Sequence, residues 1–193
     1  MKKIISIATL LVFTFCFISM NSKENDFRVF IEQNGKLIEP NNGVVTLEKK
    51  SFNIVFEFNE PMGLLINGSF KSKTYNLASK GKPMSKLPGF KNTGFAEGLL
   101  NPDKDMFVSY EGPSCWFYDD PENNRFNFTE KVNGKIVCKR IIENLFDIDS
   151  NANIKVENVD KPLYLVFISY TNGDSNNDRL ELNREWLQIN WIQ

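Results

Sequence analysis

The sequence predicts an all-β domain, an antiparallel β-sandwich with little helix, and three observations predict it. Short apolar runs alternate with polar residues at period two, turn residues interrupt them at close intervals, and no long internal stretch keeps helical spacing. An immunoglobulin-like arrangement falls within this expectation, and a barrel is the runner-up.

The first element is an N-terminal signal helix. Lys2 and Lys3 precede an uncharged apolar run over residues 4–20, the n-region and h-region of an export signal. Ser19 and Ser22 are its best final residues, with Phe17 and Met20 poor partners at the third-last position. Two other outcomes fit the same run. Cys16 is a candidate acylated cysteine of a lipoprotein, although Phe13-Thr14-Phe15 lacks the small residue expected beside it, and the run just reaches the roughly 17–25 residues of a membrane anchor. Residues 1–22 are therefore read as the signal and 23–193 as one domain, because roughly 171 residues build one substantial core and not two. The expected location is secreted, periplasmic or envelope-attached, with membrane association only through the N-terminal segment.

Within the domain, 51–59 places Phe52, Ile54, Phe56 and Phe58 on one face, a half-buried strand. The run 163–170 is apolar on both faces, as a covered central strand is. Shorter strands are expected at 27–31, 44–47, 64–70, 106–110 and 116–118. Asn-Gly pairs suit type I′ turns, and Asn133-Gly134 predicts a hairpin over 125–141. Its pairs, Val132 with Lys135, Glu130 with Val137, Phe128 with Lys139 and Phe126 with Ile141, put Phe126, Phe128, Val132, Val137 and Ile141 in the core and Cys138 on the other face beside Thr129. The only short internal helix expected is at 141–146. At the C-terminus the parity change from Leu180, Leu182 and Trp186 to Leu187, Ile189 and Trp191 predicts a β-bulge near Trp186, with a helix over 179–191 as the alternative.

The chain has no histidine. That removes Ser-His-Asp and Cys-His nucleophile activation and the usual general base near neutral pH. In an exported chain Cys115 and Cys138 are expected to form a disulfide, with a pair of free buried thiols as the competing reading and a zinc site disfavoured by the lack of histidine. No cofactor is expected.

Residues 71–106 read as a long loop, and such loops are commonly functional or mobile. From 71 to 96 it carries Lys71, Lys73, Lys80, Lys82, Lys86 and Lys91 and no acid, so a mature chain of about −3 leaves about −9 elsewhere. This predicts docking to an anionic envelope component, a glycan or an acidic protein surface, against the plainer reading of a solvated loop. Nucleic acid is not expected, since no RRM, OB or helix-turn-helix pattern is present. Trp116 and Tyr118, beside Asp119 and Asp120, form a second candidate surface, for stacking on a sugar, against core packing next to a disulfide. Asp119 and Asp120 are also the candidate pair of a carboxylate-dependent glycan hydrolase, although neighbours in a strand point apart. Asp174, Asn176, Asp178 and Glu185 match calcium-loop spacing but have Arg179 where the turn needs glycine, so polar turns are the competing reading there and at Asp147, Asp149, Asn151 and Asn153. Asn67 and Asn127 head glycosylation sequons. The sequence thus predicts an exported, non-enzymatic binding or accessory module, with the glycan hydrolase and a structural or inhibitory partner protein as rivals.

Overall fold

The computed structural model describes residues 27–61, 63–90, 105–110, 112–118, 126–173 and 179–192. The signal segment with Cys16, Lys91, Asp119, Asp120, Asp174, Asn176 and Asp178 lie outside the described residues.

The described chain is mostly β. In order it forms β1 (Phe27–Gln33), β2 (Lys36–Ile38), β3 (Val44–Glu48), β4 (Phe52–Phe58), β5 (Gly63–Ser69), α1 (Lys73–Ala78), β6 (Met106–Val108), β7 (Ser114–Trp116), β8 (Phe128–Val132), β9 (Lys135–Ile142), β10 (Asn144–Asp147), β11 (Ala152–Lys155), β12 (Leu163–Asn172) and β13 (Arg179–Ile192). Asn-Gly turns with left-handed φ at Asn34-Gly35, Asn42-Gly43 and Asn133-Gly134 reverse the chain, whereas the Asn67-Gly68 pair, which also reads as a turn in the sequence, lies inside β5.

A five-stranded sheet, ordered β2-β1-β4-β9-β8, is antiparallel throughout. An eight-stranded sheet, ordered β11-β10-β6-β5-β12-β13-β3 with β7 also on β5, is mixed. Its β3–β13, β5–β6 and β6–β10 pairs are parallel, which corrects the wholly antiparallel expectation. The chain leaves the first sheet after β2 and re-enters beside the C-terminal strand, and alternation within a strand carries no signal for that crossing.

One core cluster draws on both sheets. Ile31, Ile54, Phe56 and Phe58 of the first meet Leu64, Ile66, Leu165, Phe167, Leu187 and Ile189 of the second. Phe56 sits at its centre, edge-on to Phe167 at 5.4 Å, Phe126 at 5.8 Å and Trp116 at 6.1 Å. Each such aromatic pair adds about 0.5–1.5 kcal/mol beyond the area it buries.

A second apolar cluster lies on the outer face of the eight-stranded sheet, where Leu65, Cys115, Val166, Ile168 and Tyr170 pack under Ala78, Leu87 and Phe90. This explains why β12 is apolar on both faces: it is central in the sheet and covered on each side. It also corrects the expected loop. Over 71–90 the chain is a packed cap made of α1 and two 3-10 turns, Met84–Lys86 and Pro88–Phe90.

Three local expectations change. The β8–β9 register is as expected from Val132↔Lys135 to Phe128↔Lys139, but the buried face is the opposite one. Ile136, Cys138, Arg140 and Ile142 point inward, while Phe128, Val132 and Ile141 are exposed. Arg140 is tolerated there because Asp105 pairs with it at 3.7 Å. The expected helix at 141–146 is instead the β9–β10 corner, where the Asp105 carboxylate accepts from the amides of Glu143 (2.9 Å) and Asn144 (2.8 Å). The bulge lies at Leu182 and not near Trp186, since the pairing runs Ser169↔Asn183 and then Tyr170↔Glu181.

Candidate functional site

The site begins with α1, whose six residues are too few for an independently stable helix. Tertiary contacts hold it. Thr74 and Ala78 are buried beneath it, and the Thr74 hydroxyl accepts the Gly89 amide at 3.2 Å, tying the helix to the last turn of the cap. Gly81, at φ +70°, reverses the chain after the helix. Arg184 of β13 then reaches up from the sheet. Its Nη1 donates to the Lys82 carbonyl at 2.6 Å and the Ala78 carbonyl at 3.4 Å, and its Nη2 to Glu181 at 2.6 Å. One guanidinium therefore satisfies carbonyls past the helix end and neutralises the acid beside them.

With its apolar side buried, the cap turns its lysines outward. Lys71, Lys73, Lys80, Lys82 and Lys86 are all exposed, and residues 71–90 hold no acid. Lys71 lies 4.6 Å from the Tyr110 ring centroid and Lys73 donates to the Tyr110 hydroxyl at 3.0 Å, so this pair is gathered on one aromatic ring. Lys80, Lys82 and Lys86 form no ion pair among the described residues. The arrangement can hold an anion by charge on a fixed support, and its side chains offer no nucleophile with a base beside it.

The other sequence candidates are dispersed. Trp116 is 1% exposed and packs edge-on to Phe126 at 5.7 Å, so it is a core residue and no platform for a sugar. Tyr118 is partly buried against Phe58, its hydroxyl donating to the Pro61 carbonyl at 3.0 Å. Cys115 and Cys138 are free thiols, which corrects the expected disulfide. Cys138 belongs to the core cluster that draws on both sheets and Cys115 to the cluster on the far face of the eight-stranded sheet, so the sheet separates them. Burial raises both thiol pKa values, that of Cys138 to about 11.

Among the described residues no three His, Cys, Asp or Glu side chains gather as metal ligands. Glu185, from the calcium expectation, sits on β13 opposite Phe167. At the other acidic cluster Asp147 accepts from the Asp149 amide at 3.1 Å and the Ser150 hydroxyl at 2.7 Å, the bonding of a polar turn. Asn67 is buried inside β5 and out of reach of a glycan in the folded domain, whereas Asn127 is exposed.

Sequence reasoning missed one cavity, an open cleft of about 470 Å³ between β1 and β13. Arg28, Phe30, Glu39, Gly43, Glu185 and Trp186 line it, and Arg28 stands over the Phe30 ring at 4.5 Å while reaching Glu39 at 3.4 Å. The Asn42-Gly43 turn was visible as a turn, but its position against Trp186 depends on the β2-to-β3 crossing between sheets. Comparison with known proteins finds no matching family model, no similar curated protein and no similar solved structure.

Proposed function

We propose that this chain is an exported binding or accessory module, a two-sheet β-sandwich whose lysine-bearing cap is its contact surface for an anionic partner. The observation that carries the reading is the pairing of two features in residues 71–90. The apolar side is fastened to the sheet through Ala78, Leu87 and Phe90, and five lysines stand outside with no acid among them. A merely solubilising loop needs no such anchorage; a contact surface gains from it, because ordering the segment in advance lowers the entropy lost on binding. The sandwich part rests on the core cluster that draws on both sheets. Three parallel pairings and two separated thiols speak against its immunoglobulin-like variant.

Attachment to the envelope, by retention of the signal or by acylation at Cys16, would place this cap near anionic lipid or glycan. The hydrolase reading rests on Asp119 and Asp120 alone, sequence neighbours whose side chains a strand would point apart.

The test is flotation of residues 23–193 with phosphatidylcholine vesicles, with and without phosphatidylglycerol, and retention on immobilised heparin. The reading expects salt-sensitive binding to one of these polyanions, weakened at least tenfold by the combined Lys80→Gln, Lys82→Gln and Lys86→Gln variant. Absence of binding to both at low salt, or equal binding by the variant, would remove it.

A further inference from the structure

The side chains of the cap are sorted by side. Ala78, Leu87 and Phe90 are buried on the sheet, and Tyr75, Leu77 and Met84 pack half-buried against the same cluster, so the large apolar groups of 71–90 are committed to the domain. The outer side carries hydrogen-bonding groups among the lysines. Asn76, Ser79 and Ser85 are exposed together with Lys80, Lys82 and Lys86. Asn76 lies about one helical turn before Lys80, and Ser85 directly precedes Lys86. Asn76 Nδ2 donates to Ser72 Oγ at 3.1 Å and the Ser79 hydroxyl donates to the Asn76 carbonyl at 3.3 Å, so both side chains are held in place on the helix.

The two ends of the basic segment differ. Beside Lys71 and Lys73 the Asp149 carboxylate accepts the Tyr110 amide at 3.3 Å, which puts an acid near that pair. Toward Lys82 the neighbouring acid is Glu181, and Arg184 already holds it at 2.6 Å. The stretch from Asn76 to Lys86 is therefore the one that joins positive charge to exposed amide and hydroxyl groups.

We propose that the partner of this surface is an acidic polysaccharide, a chain of sugars bearing regularly spaced anionic groups, lying along Asn76–Lys86; this rests on the reading of the cap as a contact surface for an anion. A bilayer surface is gripped by apolar side chains lowered into the headgroup boundary, and in the cap those side chains are the ones that fasten it to the sheet. An acidic protein surface is held around a desolvated aromatic or apolar anchor, and the cap directs these groups inward as well. A polysaccharide needs neither. Its anionic groups meet the lysines, and its hydroxyls bond to Asn76, Ser79 and Ser85. Lipid headgroups diffuse and gather around any basic segment, whereas anions spaced along a polymer gain from lysine supports fixed beforehand.

The experiment titrates isotopically labelled residues 23–193 with oligogalacturonate and with polyglutamate carrying the same number of carboxylates, read by the amide signals of 71–86. The two polymers share their anionic group and differ in the sugar hydroxyls. Flotation with phosphatidylcholine–phosphatidylglycerol vesicles runs beside them. At about 0.1 M salt, where charges are screened beyond about 10 Å, oligogalacturonate is expected to bind at least about fivefold more tightly than polyglutamate, and the vesicles to leave the protein behind. Asn76→Ala combined with Ser85→Ala changes two exposed positions and keeps every lysine. It is expected to remove the preference and leave polyglutamate binding unchanged. Oligogalacturonate binding no tighter than polyglutamate, a preference that survives the double variant, or flotation at that salt would overturn the inference while leaving the basic contact surface in place. Absence of oligogalacturonate binding together with no retention on heparin would remove both.

Discussion

Gly89→Ala is the sharpest structural test of the cap. A Cβ on Gly89 would stand 2.4 Å from Asn67 Nδ2, 2.5 Å from Cγ and 2.8 Å from Oδ1, all far inside van der Waals contact. Asn67 cannot simply turn away. It is 1% exposed, and its Nδ2 donates to the Ser109 carbonyl at 3.2 Å and the Gly112 carbonyl at 3.5 Å. One added methyl must therefore lift the Pro88–Phe90 turn or break these bonds. Overpacking costs about 1–3 kcal/mol and an orphaned buried amide about as much again, so the expected loss is about 2–4 kcal/mol. Urea unfolding of Gly89→Ala, Asn67→Ala and the double variant measures it. Asn67→Ala removes the obstructing atoms, so the double variant should be at least 1 kcal/mol more stable than the sum of the single losses allows. A Gly89→Ala variant within about 0.5 kcal/mol of the parent, with additive singles, would refute the close approach of cap and sheet.

Other predictions concern groups that hold the sheets and the thiols. The melting temperature should not change on adding reductant, and Ellman's reagent should modify both thiols only at the rate of unfolding, since both are buried. The Cys138 pKa rises from 9.0 to about 11 on folding, so its contribution to stability is complete below pH 9 and is lost as pH climbs from 9 to 11. Cys138→Ala should accordingly reduce the fall of urea midpoint across that window. Asp105→Ala, losing the Arg140 pair and the amides of Glu143 and Asn144, should cost about 3 kcal/mol in the same assay, whereas a surface value under about 0.5 kcal/mol would contradict its role. Gln33→Ala should cost about 1–3 kcal/mol, because the Gln33 carboxamide donates to the Glu48 (3.0 Å) and Lys50 (3.3 Å) carbonyls and accepts the Glu48 amide at 3.0 Å.

Elements whose burial follows a local period were legible in the sequence. Phe52, Ile54, Phe56 and Phe58 are buried as their alternation implied, and the two-faced apolarity of 163–170 marked a covered central strand. The Asn133-Gly134 turn fixed the β8–β9 register, but both faces of that hairpin carry apolar residues, and the choice between them lay with Asp105, which makes Arg140 acceptable inside. The cap was hidden for a related reason: among its buried residues Thr74 and Ala78 come from α1, Leu87 from the link between the two 3-10 turns and Phe90 from the second of them, so they follow no single period. Its lysines were legible as charge; their fixed support was not. The β1–β13 cleft left no local trace, being made by where β2 and β3 end.

The central claim is that an anion meets this protein on the Lys71–Lys86 face of an anchored cap, and residue-resolved amide shifts on adding heparin oligosaccharide test it most directly. Salt-sensitive shifts are expected to concentrate at 71–86 and at Tyr110, with α1 amides still protected from exchange in the free protein. Shifts centred elsewhere, or α1 amides that exchange at unfolded rates before any ligand is added, would contradict it.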